Sequence, residues 1–348
     1  MEFKTILTNW FSANKRELPW RQTNSPYRVW LSEIIMQQTQ VKQGLPYYEA
    51  FVKQFPTVFD LADADEERVL KLWQGLGYYS RARNLHDSAK YIAYQLNGVF
   101  PDTYSEIIKL KGVGDYTASA IASICFEEPT AVVDGNVYRV LSRYFGIETP
   151  INSTAGIKEF KALATSLIDV DNPGDYNQAL MEFGAIQCKP RNPYCVVCPL
   201  SSSCVALQNG KLHELPVKLK KTKVSKKHFN FLVVLSEDGR TIFEKREKKG
   251  IWQNLYQFPL IETGEELISE KFRDHKKIQD YFGSTQYEFS LYNTEKIIHK
   301  LSHQHLYTKF WIIETKTITR KSVDVSKVKN YPTPILIGNF VEEFDFNN

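Results

Sequence analysis

The chain has 348 residues, of which 43% are hydrophobic and 13% aromatic, so it is long enough for two folded domains and too apolar to be mostly disordered. Its formal net charge is only +4, so a polyanionic partner has to be argued from where the basic residues lie and not from their number. No apolar run is long enough for a bilayer and the start is unlike a signal peptide, so we expect a soluble, cytoplasmic protein.

The first part of the chain reads as helices, one of which carries a carboxylate on its apolar face. An amphipathic helix over 2–14 ends near the Leu18–Arg21 turn, and a second helix is predicted over Val29–Val41. On that helix one face would hold Trp30, Glu33, Ile34, Gln37 and Val41. Burial raises the pKa of a carboxyl group, so Glu33 is a candidate general acid. The alternative is that Glu33 lies at the edge of the stripe and points to water.

Two further helices, predicted over 46–55 and 65–74, precede the segment GLGYYSRAR, Gly75–Arg83. Its glycines, tyrosines and arginines predict a flexible turn with stacking surfaces and phosphate ligands, as in a DNA wedge. The alternative is a glycine-capped helix end with surface arginines. A helix over 84–96 follows.

A glycine hairpin comes next, where Gly112 and Gly114 suit a tight turn between helices. The helix that leaves this turn has the apolar stripe Ala118, Ile121, Ala122 and Cys125. Free amides at its start would attract phosphate, although an ordinary helical turn is also possible.

A lone aspartate opens the next helix. Val137, Val140, Leu141 and Tyr144 repeat with helical period up to Gly146, which places Asp134 at the cap or first turn. There we expect its carboxylate to stay ionised. A helix cap without any chemical role is the plain alternative.

Helices predicted over 155–168 and 176–187 lead to four cysteines with the spacing C-x6-C-x2-C-x5-C, namely Cys188, Cys195, Cys198 and Cys204. Four thiolates in one compact loop predict a metal site in a reducing compartment, and the spacing leaves tetrahedral zinc and a cubane iron-sulfur cluster both open.

The remainder reads as a basic linker and a second domain. Lysines without regular period fill 216–227, either as a solvated spacer or as a non-specific contact to DNA backbone. Strands are predicted over 229–235, 241–245, 287–292, 296–300 and 307–314, which gives an α+β domain over 228–348.

Several motifs together resemble the adenine DNA glycosylase (MutY) family of the helix-hairpin-helix superfamily. They are LPWR, SEIIMQQTQV, GLGYYSRARNL, LKGVGDYTASAI, VDGNVYRVLSR, YNQALMEFGA and the four cysteines. The resemblance implies a multi-domain fold: an all-α helix-hairpin-helix glycosylase domain over 1–215 with an iron-sulfur loop, a linker over 216–227, and an α+β Nudix-like domain over 228–348. That second domain lacks the acidic motif of Nudix hydrolases, so we do not expect nucleotide hydrolysis from it.

The resemblance also implies an activity, the excision of adenine paired with 8-oxoguanine or guanine in base excision repair. Glu33 is then the general acid, and Asp134 stabilises the oxocarbenium ion or a covalent sugar intermediate. Tyr116 and Asn136 would assist Asp134 and order the water. Tyr116 stands where bifunctional relatives carry a Schiff-base lysine, which implies a monofunctional enzyme that leaves the strand uncut.

Further residues correspond to family positions that contact DNA. Arg21 and Gln178 would line the adenine pocket, and Gln38 and Tyr78 would wedge into the base stack. Gly112 and Gly114 belong to the phosphate-binding hairpin. In the loop that reads 8-oxoguanine, Leu301, Ser302 and His303 replace the Phe-Ser-His of the family, so an aromatic face is missing, and His299 and His305 leave open which imidazole acts.

The implied cofactor is a [4Fe-4S] cluster on the four cysteines, with Lys189 and Arg191 of the same loop on phosphates. The implied partner is double-stranded DNA, bound by a monomer, near the nucleoid if the protein is bacterial. Two other functions remain open at this point: a thymine or other mismatch glycosylase, and a catalytically silent iron-sulfur protein that binds DNA.

Overall fold

A computed structural model describes residues 3–219, 224–295 and 297–346. The chain forms two compact units that are not continuous in sequence. One comprises 1–63 and 84–220, and the other comprises 64–83 and 221–348. No helix in the described ranges is both long enough and apolar enough to cross a membrane.

The first unit is helical. In chain order the helices up to the linker are α1 (Phe3–Asn14), α2 (Pro26–Met36), α3 (Val41–Gln54), α4 (Val58–Asp63), α5 (Glu66–Leu72), α6 (Ser80–Gln95), α7 (Tyr104–Ile107), α8 (Asp115–Phe126), α9 (Gly135–Phe145), α10 (Thr154–Leu167), α11 (Pro173–Glu182) and α12 (Val205–Gln208). A π-helical turn over Phe183–Gln187 continues α11. Of these, α5 belongs to the second unit, together with the first residues of α6. Phe3 and Leu7 of α1, Leu141 of α9 and Phe160 of α10 share one apolar core, which fixes α9 and its N-terminus inside the unit.

The predicted helix over Val29–Val41 is wrong in its second half. Helix α2 ends at Met36, Gln38 adopts a left-handed φ of 55°, and α3 begins at Val41. Gln37 therefore does not continue the apolar face and instead donates to the Thr117 hydroxyl at 3.1 Å. The helix predicted to start at Pro46 starts five residues earlier, at Val41, and Pro46 lies inside α3.

The hairpin is present, with one difference between its two glycines. Gly112 has a φ of +82°, and a Cβ there would lie 2.7 Å from the Cβ of Asn84. The backbone conformation and the lack of space for a side chain each require glycine at this position. Gly114 is extended, with a φ of −105°, and is the N-cap of α8. Ala118, Ile121 and Ala122 of the predicted stripe are buried.

The second unit is built on a mixed β-sheet. Its elements are β1 (Ser225–Ser236), β2 (Arg240–Thr241), β3 (Glu244–Lys245), β4 (Tyr256–Gln257), β5 (Leu260–Thr263), α13 (Lys276–Phe282), β6 (Glu288–Leu291), β7 (Ile297–Lys300), β8 (Gln304–Thr315), β9 (Val323–Asp324) and α14 (Ile335–Glu343). The long strands β1 and β8 run parallel at its centre, and β5, β6 and β7 pair antiparallel with one or the other. Leu232, Trp311 and Ile313 pack with Phe272 and Ile278 on one face of the sheet.

The predicted strands were found with two corrections. Thr241–Lys245 is divided into β2 and β3, and the basic linker ends earlier than predicted, because β1 begins at Ser225. Lys226 and Lys227 therefore lie in a strand, where they pair with His305 and Leu306 of β8. Lys220, Lys221 and Lys223 of the predicted linker lie outside the described residues.

Candidate active site

Glu33 lies in the last turn of α2, and its neighbours Trp30 and Ile34 are buried. Burial, the largest cause, and the nearby carboxylate of Asp134 together raise the pKa of Glu33, which is about 7 when all influences are included. A hydrogen bond with Tyr116 and the charge of Arg21 act in the opposite direction. The predicted rise in pKa is confirmed, and Glu33 is not a solvated edge residue. A group with this pKa is protonated in about half of the molecules at neutral pH, so it can donate a proton there.

Tyr116 lies in the first turn of α8, directly after the hairpin. Its hydroxyl is 3.5 Å from the sulfur of Met181 and takes part in the hydrogen bond with Glu33. Burial, together with the negative charges of Glu33 and Asp134, raises the pKa of this phenol well above its ordinary value. Tyr116 therefore stays a neutral hydrogen-bonding group between two carboxyl groups.

Asp134 is the N-cap of α9, as predicted. Its Oδ1 accepts from the backbone amides of Asn136 and Val137 at 2.8 and 2.7 Å, and its Oδ2 accepts from the Asn136 side chain at 2.7 Å. Burial is the largest influence and raises the pKa of Asp134 above its ordinary value, although these three donors and the nearby Arg139 favour its charged form and oppose the rise. The cap thus fixes both carboxylate oxygens.

Asn136 is oriented by Arg139, one turn along α9. The Arg139 guanidinium donates to Oδ1 of Asn136 at 2.8 Å, which leaves the Asn136 amide nitrogen to face Asp134. The same guanidinium donates to the carbonyls of Gly184 and Cys188, each at 2.7 Å. Gly184 has to be glycine for its backbone to lie this close to α9, because a Cβ at this position would lie 2.6 Å from the Cβ of Asn136.

Arg21 forms an ion pair with the buried Glu182. Glu182 is only 1% exposed and receives Arg16 in a two-pronged contact at 2.7 and 2.6 Å, and Arg21 at 2.9 Å. Burial by itself would raise the pKa of Glu182, but the hydrogen bonds from both arginines outweigh it and lower this pKa to about 2. Gln178 lies one turn before Glu182 on α11 and is half-buried.

The four cysteines line one cavity of about 30 Å³, together with apolar side chains such as Val140, Phe183 and Leu200. All are free thiols. Arg143, which is buried, donates to the Cys188 sulfur at 3.4 Å and to the carbonyls of Lys189 and Leu215, so α9 also holds this loop. Burial raises the pKa of Cys198 to about 11, so its sulfur is a thiol at neutral pH unless a cation binds there.

The remaining predicted residues lie on loops. Gln38 is exposed between α2 and α3. In the second unit, Tyr78 is half exposed on the loop before α6, and Ser302 and His303 are exposed at the turn between β7 and β8. His299 packs against Trp252, which leaves His303 as the exposed imidazole of this turn.

The structure adds four polar or polarisable side chains that the sequence did not single out, namely Arg16, Arg139, Met181 and Glu182. Two sequence signals point to them: Arg139 follows Asn136 by three residues, and Glu182 follows Gln178 by four, so each pair shares a helix face. The contacts of Arg16 with Glu182 join residues 166 positions apart and have no local signal.

Known protein families and solved structures match both parts of the chain. Residues 31–163 match the family model described as HhH-GPD superfamily base excision DNA repair protein, and residues 230–343 match a NUDIX domain. The helical fold is also similar to the structure of a thermostable thymine-DNA glycosylase, at 29% identity and a TM-score of 0.55 over 60% of this chain and 95% of that one. An endonuclease III–DNA complex, at 21% identity and a TM-score of 0.52, shares the fold over 60% of this chain and 99% of that one.

The fold and the two family matches define a helix-hairpin-helix base excision repair protein with a C-terminal NUDIX domain. The adenine DNA glycosylase of Buchnera aphidicola subsp. Baizongia pistaciae is 38% identical over 315 residues, which cover 90% of this chain and 86% of that protein. The human adenine DNA glycosylase is 44% identical over 222 residues, 61% of this chain and 41% of that protein. The chain belongs to the adenine DNA glycosylase family and is an enzyme of base excision repair.

Proposed function

We propose that this adenine DNA glycosylase is monofunctional and acts on adenine opposite 8-oxoguanine or guanine, with Glu33 as its general acid. The observation that carries the proposal is the contrast between two neighbouring carboxyl groups. Burial raises the pKa of both groups, that of Glu33 to about 7, but the Asp134 carboxylate also accepts three hydrogen bonds that favour its charged form. A proton donor beside a fixed carboxylate is the arrangement that cleavage of a glycosidic bond requires.

In the proposed reaction the adenine is flipped out of the duplex and protonated by Glu33, which makes it a better leaving group. As the bond breaks, positive charge develops on the sugar and Asp134 stabilises it, either as an ion pair or by bonding to the sugar carbon. Asn136, held by Arg139, and Tyr116, bonded to Glu33, order the attacking water, whose oxygen bonds to the sugar carbon while its proton returns to the ionised Glu33.

Arg21 and Gln178 line the adenine pocket in this proposal, and the fixed orientation of Arg21 against Glu182 supports its role. An amide such as that of Gln178 matches the donor and acceptor that adenine presents. Gly112 and Gly114 bring the amides at the start of α8 close to a phosphate, and no atom lies within 4 Å of where a Gly114 Cβ would be.

The partner is double-stranded DNA, which we propose is bound by a monomer. Gln38 and Tyr78 enter the base stack, and Ser302 and His303 hydrogen-bond 8-oxoguanine from the β7–β8 turn. The exposure of all four side chains supports these roles. The free thiols support a reducing compartment, the cytoplasm, with the nucleoid as the site of action in a bacterium.

Strand chemistry tests the monofunctional assignment. Incubation with a duplex that holds adenine opposite 8-oxoguanine is expected to release free adenine and leave an abasic strand that breaks only after alkali, because the phenol of Tyr116 cannot form a Schiff base. Chromatography of the base and denaturing electrophoresis with and without alkali measure the two products. A thymine·guanine duplex serves as the control. Release of thymine in place of adenine, or breakage without alkali, would contradict the assignment.

For the metal site we propose a [4Fe-4S] cluster held by Cys188, Cys195, Cys198 and Cys204. The four sulfurs line one largely apolar cavity, which supports a bound metal group. Four thiolates suit a cubane cluster or a tetrahedral zinc, and the resemblance of the cysteine order to the iron-sulfur loop of this superfamily favours the cluster. When bound, the cluster would supply four strong bonds that fix the loop, so that Lys189 and Arg191 face phosphates.

The fifth cysteine provides a matched control for the cluster. Cys198→Ala is expected to lose most of the bound iron, because a cubane cluster needs its fourth ligand, while Cys125→Ala on α8 retains it. Iron, zinc and acid-labile sulfide per chain, measured by elemental analysis and colorimetry on the purified proteins, decide the result. Stoichiometric zinc in the unmodified protein, or equal iron loss in both variants, would refute the assignment.

A further inference from the structure

The loop that carries Tyr78 is built into the second unit, although its sequence lies between segments of the first. Residues 64–83 share their compact unit with 221–348. Helix α5, which precedes the loop, is hydrogen-bonded to the sheet domain. Glu67 accepts from Lys245 at 3.1 Å and from the Tyr256 hydroxyl at 2.8 Å, and Glu66 accepts from Asn254 at 2.6 Å. The sheet domain therefore fixes the element that leads into the loop.

The loop itself is held at both ends by backbone groups of the second unit. At its start Lys71 donates to the carbonyls of Lys329 and Tyr331, at 2.7 and 3.2 Å. At its end the Arg83 guanidinium donates to the Gln253 carbonyl at 2.8 Å. These contacts set the positions of the two ends of the loop.

The middle of the loop has a backbone that needs support. Gly75 and Gly77 have φ values of 96° and 76°, and Tyr78 itself is left-handed with a φ of 49°. For a residue with a Cβ this conformation is unfavourable, so it persists only where neighbouring contacts hold it. Part of that support comes from Trp73, whose indole nitrogen donates to the Gly77 carbonyl at 2.9 Å.

Tyr79 provides the anchor next to Tyr78. Its side chain is 6% exposed, whereas that of Tyr78 is 50% exposed, so the two consecutive tyrosines point to opposite environments. The Tyr79 hydroxyl donates to the Thr333 carbonyl at 3.0 Å and accepts from the Gly75 amide at 3.3 Å. One hydroxyl therefore joins the loop to the segment before α14.

We propose that Tyr79 is a positioning residue, through which the second unit sets the orientation of Tyr78 in the DNA base stack. This inference rests on the proposed wedge role of Tyr78. Arg81 supports the same arrangement, because its buried guanidinium lies 5.1 Å from the Trp73 ring and 5.6 Å from the Tyr78 ring. Arg81 is buried, and its predicted contact with phosphate stays a prediction. The unit that contains the proposed 8-oxoguanine loop thus also places the residue that enters the stack.

A double-mutant cycle on DNA binding tests the inference in the full-length protein. The probe is a duplex in which the target deoxyadenosine carries a 2′-fluorine, which resists cleavage, opposite 8-oxoguanine. Tyr78→Ala is expected to weaken binding about tenfold through lost stacking. Tyr79→Phe, which keeps the ring and removes the hydroxyl, should weaken it about fivefold through the lost hydrogen bond. In the Tyr78→Ala background Tyr79→Phe should have no further effect, because its action passes through Tyr78.

A control variant and melting temperatures distinguish the positioning role of Tyr79 from the proposed wedge role of Tyr78. Tyr94→Phe removes an exposed hydroxyl that bonds Asp63 on α4, and it should leave binding unchanged. Melting temperatures of all variants show whether they fold. An equal effect of Tyr79→Phe in both backgrounds would overturn the positioning role and indicate a structural one. No effect of Tyr78→Ala would overturn it together with the wedge, while leaving adenine excision by Glu33 and Asp134 intact.

Discussion

Glu33→Gln is expected to lower the single-turnover rate of adenine release by about a thousandfold, within the range for loss of a positioned general acid. Glutamine has nearly the same shape but carries no transferable proton. Because burial gives Glu33 a pKa of about 7, the unmodified enzyme should lose activity as the pH rises above 7, where the acid becomes ionised. The variant should show no such titration.

The measurement is a single-turnover time course from pH 5.5 to 9 on a duplex with adenine opposite 8-oxoguanine, accompanied by a binding isotherm. Glu49→Gln is the matched control, since Glu49 is exposed on α3, and it should be as active as the unmodified enzyme. Duplex binding by Glu33→Gln should change less than threefold. Retention of a tenth or more of the rate, or loss of binding in step with the rate, would reject the acid role.

Asp134→Asn is expected to reduce the same rate by about a thousandfold, because the neutral amide cannot stabilise positive charge on the sugar. Asparagine is nevertheless a good N-cap, so its oxygen still accepts from the amides of Asn136 and Val137 and α9 keeps its start. Activity should therefore fall far more than stability does.

Asp134→Ala separates the two roles, because it removes the cap as well as the charge and should cost about 1 kcal/mol of unfolding free energy. Ser153→Ala provides the comparison: Ser153 caps α10 by accepting from the Gly156 amide, outside the site. It should lose similar stability and keep its activity. Urea unfolding and single-turnover rates are measured on all three variants. If Asp134→Asn stays active, the aspartate is a helix cap and no more.

Local sequence patterns were sufficient to predict several parts of the fold. Asp134 was predicted as the cap of α9 because the preference of aspartate for a helix start depends on backbone amides two and three residues away. Gly112 was predicted at a tight turn for the same kind of reason, since its φ is a property of one residue. The break between α2 and α3 was missed, because apolar residues on both sides of Gln38 keep a helical period through it.

By itself the sequence determined the class of the protein, the four cysteines, the helix-capping aspartate and a glutamate on an apolar helix face. Only the tertiary structure decided the protonation of Glu33, because its pKa depends on burial and on Tyr116, Asp134 and Arg21 from three other segments. It also decided the pairing of Arg21 with Glu182 and the attachment of the Tyr78 loop to the second unit. These contacts join residues more than 150 positions apart, and no periodicity in a single chain segment records such a contact.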